Sequence, residues 1–236
     1  MRKEKYSHFL TKEYMMGPDS ICLLDELLEC CPEGIKGGRI LDLGCGMAVT
    51  SLFLARETSA DIVYAADLWI SATDNFGRIC RWGEDQRIIP IHSDAANLPF
   101  ANGFFSAVVS VDAYHYFGCE EGFFAEKILP LLAKDGCALI AIPGIRDEYE
   151  GNLPELMTEW AGEDVRSFHG YRWWREHISR GAENLDVEVR SSSRFDEIWE
   201  GWFRSGHEYA AVDRSFLDRG LKEVLDFVII IVRAKQ

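Results

Sequence analysis

"ILDLGCGMAVTSLFLA" runs from Ile40 to Ala55. An apolar run ends on two glycines, Gly44 and Gly46, that flank Cys45. Val49, Leu52 and Phe53 then follow at helical spacing. The stretch reads as strand, glycine turn, helix. Glycines at that turn leave the backbone bare, so a ligand can come close to it and to the helix N-terminus. A triphosphate loop would need a lysine after the turn, and none follows Gly44 here. A dinucleotide fingerprint would need glycine or alanine at the place held by Val49. A third class of ligand puts no phosphate at the turn.

The same rhythm continues on both sides. "ADIVYAADL" (60–68), "QRIIPIHSDA" (86–95), "FFSAVVSVDAYHYF" (104–117) and "KDGCALIAIP" (134–143) each hold a short apolar strand. "SATDNFGRICRWG" (71–83) and "EEGFFAEKILPLL" (120–132) read as helices between them, the second ended or kinked at Pro130. Alternation over residues 39–142 predicts a parallel sheet with helices on both faces. Pro90 removes a ladder donor, which puts the third strand at a sheet edge. Upstream, "PDSICLLDELLECCPEG" (18–34) is an amphipathic helix started by Pro18, Asp19 and Ser20 and ended by Pro32 and Gly34.

After Ile145 the rhythm breaks. Trp160, His169, Trp173, Trp174 and His177 precede the strand "NLDVEVRSS" (184–192). Trp199 and Trp202 precede the last strand, "EVLDFVIIIVRA" (223–234). Residues 145–180 and 195–222 are therefore expected as insertions over the carboxyl edge of the sheet, where loops of doubly wound folds meet ligands. Residues 1–36 form an N-terminal helical segment or lid, and 37–236 the main domain.

Charge and cysteines narrow the partners. The net charge is -14, and no basic field for a nucleic acid is visible. Seven cysteines without a C-x-x-C pair suit reduced thiols and a cytoplasmic protein. The N-terminus has no apolar signal segment, and "FVIIIV" (227–232) is too short to span a bilayer, so no membrane partner is expected. No metal-ligand spacing is present.

"ILDLGCG" resembles the first motif of the class I, Rossmann-like S-adenosylmethionine-dependent methyltransferases, and the likeness runs over roughly residues 37–143. The family pattern has a further glycine where this chain has Ala48. The resemblance implies a doubly wound, mostly parallel seven-stranded α/β sheet with the last strand antiparallel. It implies S-adenosyl-L-methionine as cofactor and S-adenosyl-L-homocysteine as product. Gly44, Cys45 and Gly46 would then wrap the amino-acid portion and ribose. Asp67 lies 23 residues after Gly44 and would accept from the ribose hydroxyls, with Leu68 and Trp69 beside the adenine. Asp94 would accept from the adenine amino group and Ala95 offer its N–H. Asp42 would hydrogen-bond near the methionine amino group or cap the turn. Asp112 and Tyr14 would also touch the cofactor.

The acceptor is expected beside "VDAYHYF" (111–117) and residues 145–180. His115 is a candidate base and Tyr114 a candidate catalytic partner, against ordinary packing for both. A small neutral or cationic acceptor fits the acidic balance, and a homodimer through the tryptophan-rich insertions is open. The rival readings are a non-catalytic S-adenosylmethionine-binding protein, a nicotinamide-dependent oxidoreductase, or a methyltransferase for protein or RNA.

Overall fold

The computed structural model describes residues 2–31, 35 and 37–234. Seven apolar runs become strands: β1 (Arg39–Leu43), β2 (Ile62–Asp67), β3 (Ile88–His92), β4 (Phe105–Val111), β5 (Leu132–Ile145), β6 (Leu185–Ser191) and β7 (Leu225–Ala234). They form one sheet in the order β3-β2-β1-β4-β5-β7-β6. β1 to β5 pair in parallel, while β7 pairs antiparallel with both neighbours. The last strand is thus the only one that opposes the rest. β3 is an edge strand, so Pro90 has no outer partner to disappoint.

Among the described residues there are seven α-helices: α1 (Ser20–Glu29), α2 (Val49–Glu57), α3 (Ala72–Trp82), α4 (Glu155–Ala161), α5 (Tyr171–Ser179), α6 (Phe195–Arg204) and α7 (Glu208–Asp218). β7 shows why its sequence lacks polar alternation. Phe227, Ile229 and Ile231 join the core under α1, α2 and α6, while Val228, Ile230 and Val232 join the core under α5. A strand buried on both faces needs apolar side chains at every position. Burial of each such side chain stabilises by about 1.5–3 kcal/mol relative to exposure.

Three elements differ from the sequence reading. "EEGFFAEKILPLL" forms no α-helix; a π turn over Phe124–Ile128 runs into a 3-10 turn at Leu129–Leu131, where Pro130 cannot supply a helical N–H. β5 already begins at Leu132, and the expected turn around Gly136 is absorbed as an irregularity in its pairing with β4. A 3-10 segment, Arg2–Phe9, precedes α1; Tyr6 packs on Phe53 and Phe9 on Trp82. α1 starts where expected, with the Asp19 carboxylate accepting from the Cys22 N–H at 2.9 Å. The stop signals Pro32 and Gly34 lie outside the described residues. Among those residues no helix is long and apolar enough to cross a membrane.

The chain order reverses between β1 and β4. From β1 the chain moves out to β2 and β3, then returns to β4 on the other side. The crevice at the carboxyl ends of these strands is where open α/β sheets place ligands.

Candidate cofactor cleft and active site

Gly44 sits at φ +75°, and a Cβ there would come within 2.2 Å of the Ala113 Cβ. Both the conformation and the contact demand glycine. The Gly44 and Cys45 N–H groups donate to the Ala66 carbonyl, which ties the turn to β2. Ala48, at the place of the family's further glycine, also adopts a left-handed conformation, with φ +63°, and leads into α2. A non-glycine residue there costs roughly 1–2 kcal/mol. The loop shape is kept; alanine bears the strain.

Asp67 ends β2 and holds the turn. One carboxylate oxygen accepts from the Gly46 N–H at 2.8 Å; the other accepts from Trp69 and Ile70 N–H, each at 2.8 Å. The carboxylate keeps spare lone pairs toward the cleft. Asp94 follows β3 and caps a short turn, accepting from the Ala96 N–H at 2.9 Å. These two acids and the glycine turn open onto one cavity of about 410 Å³.

Most expected residues line that cavity. Gly44, Cys45 and Gly46 form one side; Asp67, Leu68 and Trp69 another; Asp94 and Ala95 a third. Tyr14 and Asp112 close it from the N-terminal segment and from the end of β4. Met15 to Pro18, in the N-terminal segment expected as a lid, also line it. Gly17 fits there closely: a Cβ would come within 2.4 Å of the Asp112 Oδ2. Trp69 and Tyr116, 65% and 49% exposed, meet edge to face at 5.1 Å on its rim.

Three expected residues stand elsewhere. Asp42 lies behind the turn, fully buried, accepting from Thr50 and Ser51 hydroxyls at 2.7 and 2.6 Å; its Oδ1 has no hydrogen-bond partner. Burial pushes its carboxyl up to about 6, despite those two bonds. Tyr114 points into the core under α5, against Phe117 and Trp174. His115 is buried, with the rings of Tyr116 and Phe168 tilted against it, and burial pushes its imidazole down to about 3. Neither Tyr114 nor His115 is in the cavity wall, because the 3-10 turn Tyr114–Tyr116 directs only Tyr116 and Phe117 to it.

The aromatic insertion resolves similarly. α5 begins at Tyr171, and Trp174 and His177 do share a face, but that face is buried: Trp174 joins the core on the sheet, and His177 meets the Gly118 carbonyl at 2.9 Å. Trp173 stacks between His169 and His177 at 3.6 and 4.4 Å. The insertions reach the cleft through charge: those of Asp164 and Asp213 act on Tyr116 and Asp112. Asp213 itself is gripped by the indole N–H groups of Trp160 and Trp202 at 2.8 and 2.7 Å. Among the described residues no cluster of three or more His, Cys, Asp or Glu could hold a metal ion.

The family model "Methyltransferase domain" matches residues 40–136. The malonyl-[acyl-carrier protein] O-methyltransferase of Geobacter sulfurreducens is 30% identical over 132 residues, covering 54% of this chain and 45% of that protein. The chain spans less than half the length of the curated relatives it matches. Among solved structures, phosphoethanolamine N-methyltransferase 2 of Haemonchus contortus superposes with TM-score 0.77 at 19% identity, over 100% of this chain and 58% of the other. A methyltransferase of Geobacter sulfurreducens gives 0.68 at 17% identity, over 98% of both chains. The domain match covers the strands, the glycine turn and the acidic tips that build the cleft, and the fold extends the likeness to the rest of the chain. Residues 40–136 thus match a methyltransferase domain, and the whole chain shares the fold of the solved methyltransferases.

Proposed function

We propose that the protein transfers a methyl group from S-adenosylmethionine to a small-molecule acceptor, neutral or cationic. The observation that carries this is the convergence of Gly44–Gly46, Asp67 and Asp94 on one cavity. The residues fit the cofactor: the Gly44 turn admits close backbone approach, Asp67 offers lone pairs at the right end of β2, and Trp69 supplies an apolar face. Two of the solved neighbours named above were determined with S-adenosylmethionine and S-adenosylhomocysteine.

When bound, the cofactor supplies an electrophilic methyl group and leaves as a neutral thioether, so no acid is required. The protein's part is to orient and to exclude water. Tyr14 to Pro18 cover the cleft as a lid, and Trp69 with Tyr116 narrow its mouth. His115 is not assigned as a base: it lies outside the wall and is neutral at physiological pH. The seven free thiols suit a cytosolic location.

Calorimetric titration with S-adenosylhomocysteine tests the reading. Wild type should bind, and Asp67→Ala should weaken binding tenfold or more. Folded wild type that binds NADP and not S-adenosylhomocysteine would replace this reading with an oxidoreductase.

A further inference from the structure

Adjacent residues at the end of β4 face opposite ways. Ala113 packs on Gly44 and seals the glycine turn. Asp112, held at φ +56°, turns its carboxylate away from that turn, onto Gly17 of the lid and toward the insertion that carries Asp213. Aspartate tolerates this left-handed conformation better than most residues, yet it remains strained, and such strain collects at functional positions.

The Asp112 carboxylate lines the cavity. It has no side-chain hydrogen bond or ion pair among the described residues. The one charge that bears on it is that of Asp213, which is also negative. Asp213 cannot swing away, because Trp160 and Trp202 hold both of its oxygens. Asp164 adds a third negative charge near Tyr116. A desolvated carboxylate without a counter-charge is costly, and a bound cation would offset that cost. The walls around it are aromatic: Tyr14, Trp69, Tyr116 and Phe117. Carboxylate plus aromatic faces suit an organic ammonium more than a metal ion, which would need a fuller oxygen shell.

We propose that Asp112 is the anchor for a positively charged nitrogen of the methyl acceptor, so that the acceptor is an amine or ammonium compound. This rests on the methyltransferase reading for the word acceptor, but not for the cation site itself. The site also sets a pH dependence. Burial first, then Asp213, pushes the Asp112 carboxyl up to about 8. Tyr116, raised to about 12, stays protonated and adds no charge. Cation binding therefore strengthens as pH rises through about 8 and the carboxylate ionises.

Choline and its neutral carbon isostere, 3,3-dimethyl-1-butanol, are the probes, titrated into wild type saturated with S-adenosylhomocysteine. Choline carries a fixed charge, so any pH dependence belongs to the protein. Choline should bind at least tenfold tighter than the isostere, and roughly tenfold tighter at about pH 9 than at about pH 6.5. Asp112→Asn, which tolerates the same backbone, should abolish both differences. Equal binding of the two probes, or no choline binding, overturns the proposal. So does an Asp112→Asn variant that loses tenfold for S-adenosylhomocysteine alone; the carboxylate would then serve the cofactor's ammonium. If wild type binds choline but no S-adenosylhomocysteine, the cation site stands and the methyltransferase reading fails.

Discussion

Asp67 and Gly46 are joined across the cleft by a 2.8 Å hydrogen bond from the Gly46 N–H to the Asp67 carboxylate. The same carboxylate holds Trp69 and Ile70, so one side chain fixes both the glycine turn and the loop after β2. The proposed ribose acceptor is thus also the brace that shapes the turn.

Asp67→Ala should therefore lose stability as well as affinity. Three N–H groups lose a charged acceptor, and a cost of roughly 2 kcal/mol or more is expected. Urea unfolding without ligand measures it. A loss below about 0.5 kcal/mol would mean that water replaces the carboxylate freely.

Gly44→Ala should be worse. The new methyl would collide with Ala113 at 2.2 Å, and the backbone conformation is left-handed. We expect destabilisation of about 2–4 kcal/mol from strain and overpacking together. Gly83→Ala, also left-handed but with open space around it, isolates the conformational part. Equal losses at the two positions would show that the Ala113 contact is not tight.

Asp42 makes stability depend on pH. Its folded carboxyl is raised to about 6 from an ordinary value near 3.8. The folded state then binds the proton more tightly than the unfolded state, so this group's contribution falls as pH rises from about 4 to about 6. The loss is about 3 kcal/mol by pH 7. Asp42→Asn keeps an acceptor for Thr50 and Ser51 and removes the titration. The wild-type-minus-variant difference in unfolding free energy should shrink as pH falls; a difference flat from pH 4 to 7 would contradict it.

His115 titrates in the opposite sense. Its imidazole is held down at about 3 in the fold, so the unfolded chain takes up a proton first as pH falls below about 6.5. Stability tied to His115 is present at neutral pH and is lost on acidification. His115→Phe should remove that acid sensitivity and leave kcat within a few-fold. A hundred-fold loss of kcat with unchanged stability would return His115 to the chemistry.

Thiol reactivity should follow burial. Cys80 is exposed, whereas Cys22 and Cys45 are buried, with thiols pushed up to about 12 for Cys22 and well above the ordinary value for Cys45. Mass spectrometry after brief alkylation near pH 8 should find Cys80 modified first. Rapid labelling of Cys45 would mean that the lid over the glycine turn opens often.

Much of the site was legible along the chain because its parts are local. A strand that ends in glycines, and acids at the tips of the next two strands, are set by short-range geometry. Parallel pairing brings those tips to one edge wherever the order is 3-2-1-4. Likewise the unbroken apolar run of β7 announced burial on both faces. Helical spacing from Tyr171 correctly placed Trp174 and His177 together, but spacing says only which residues share a face, not what that face meets.

What only the tertiary structure decided is direction. Asp112, Ala113, Tyr114, His115 and Tyr116 are consecutive, and nothing in their order tells which faces the cleft. A left-handed Asp112 followed by one 3-10 turn sends Ala113 to Gly44, Tyr114 and His115 into cores, and Tyr116 to the rim. Gly17 against Asp112, and Asp213 between two tryptophans, join segments from distant parts of the sequence. Such contacts depend on how whole elements pack, and no local propensity encodes them.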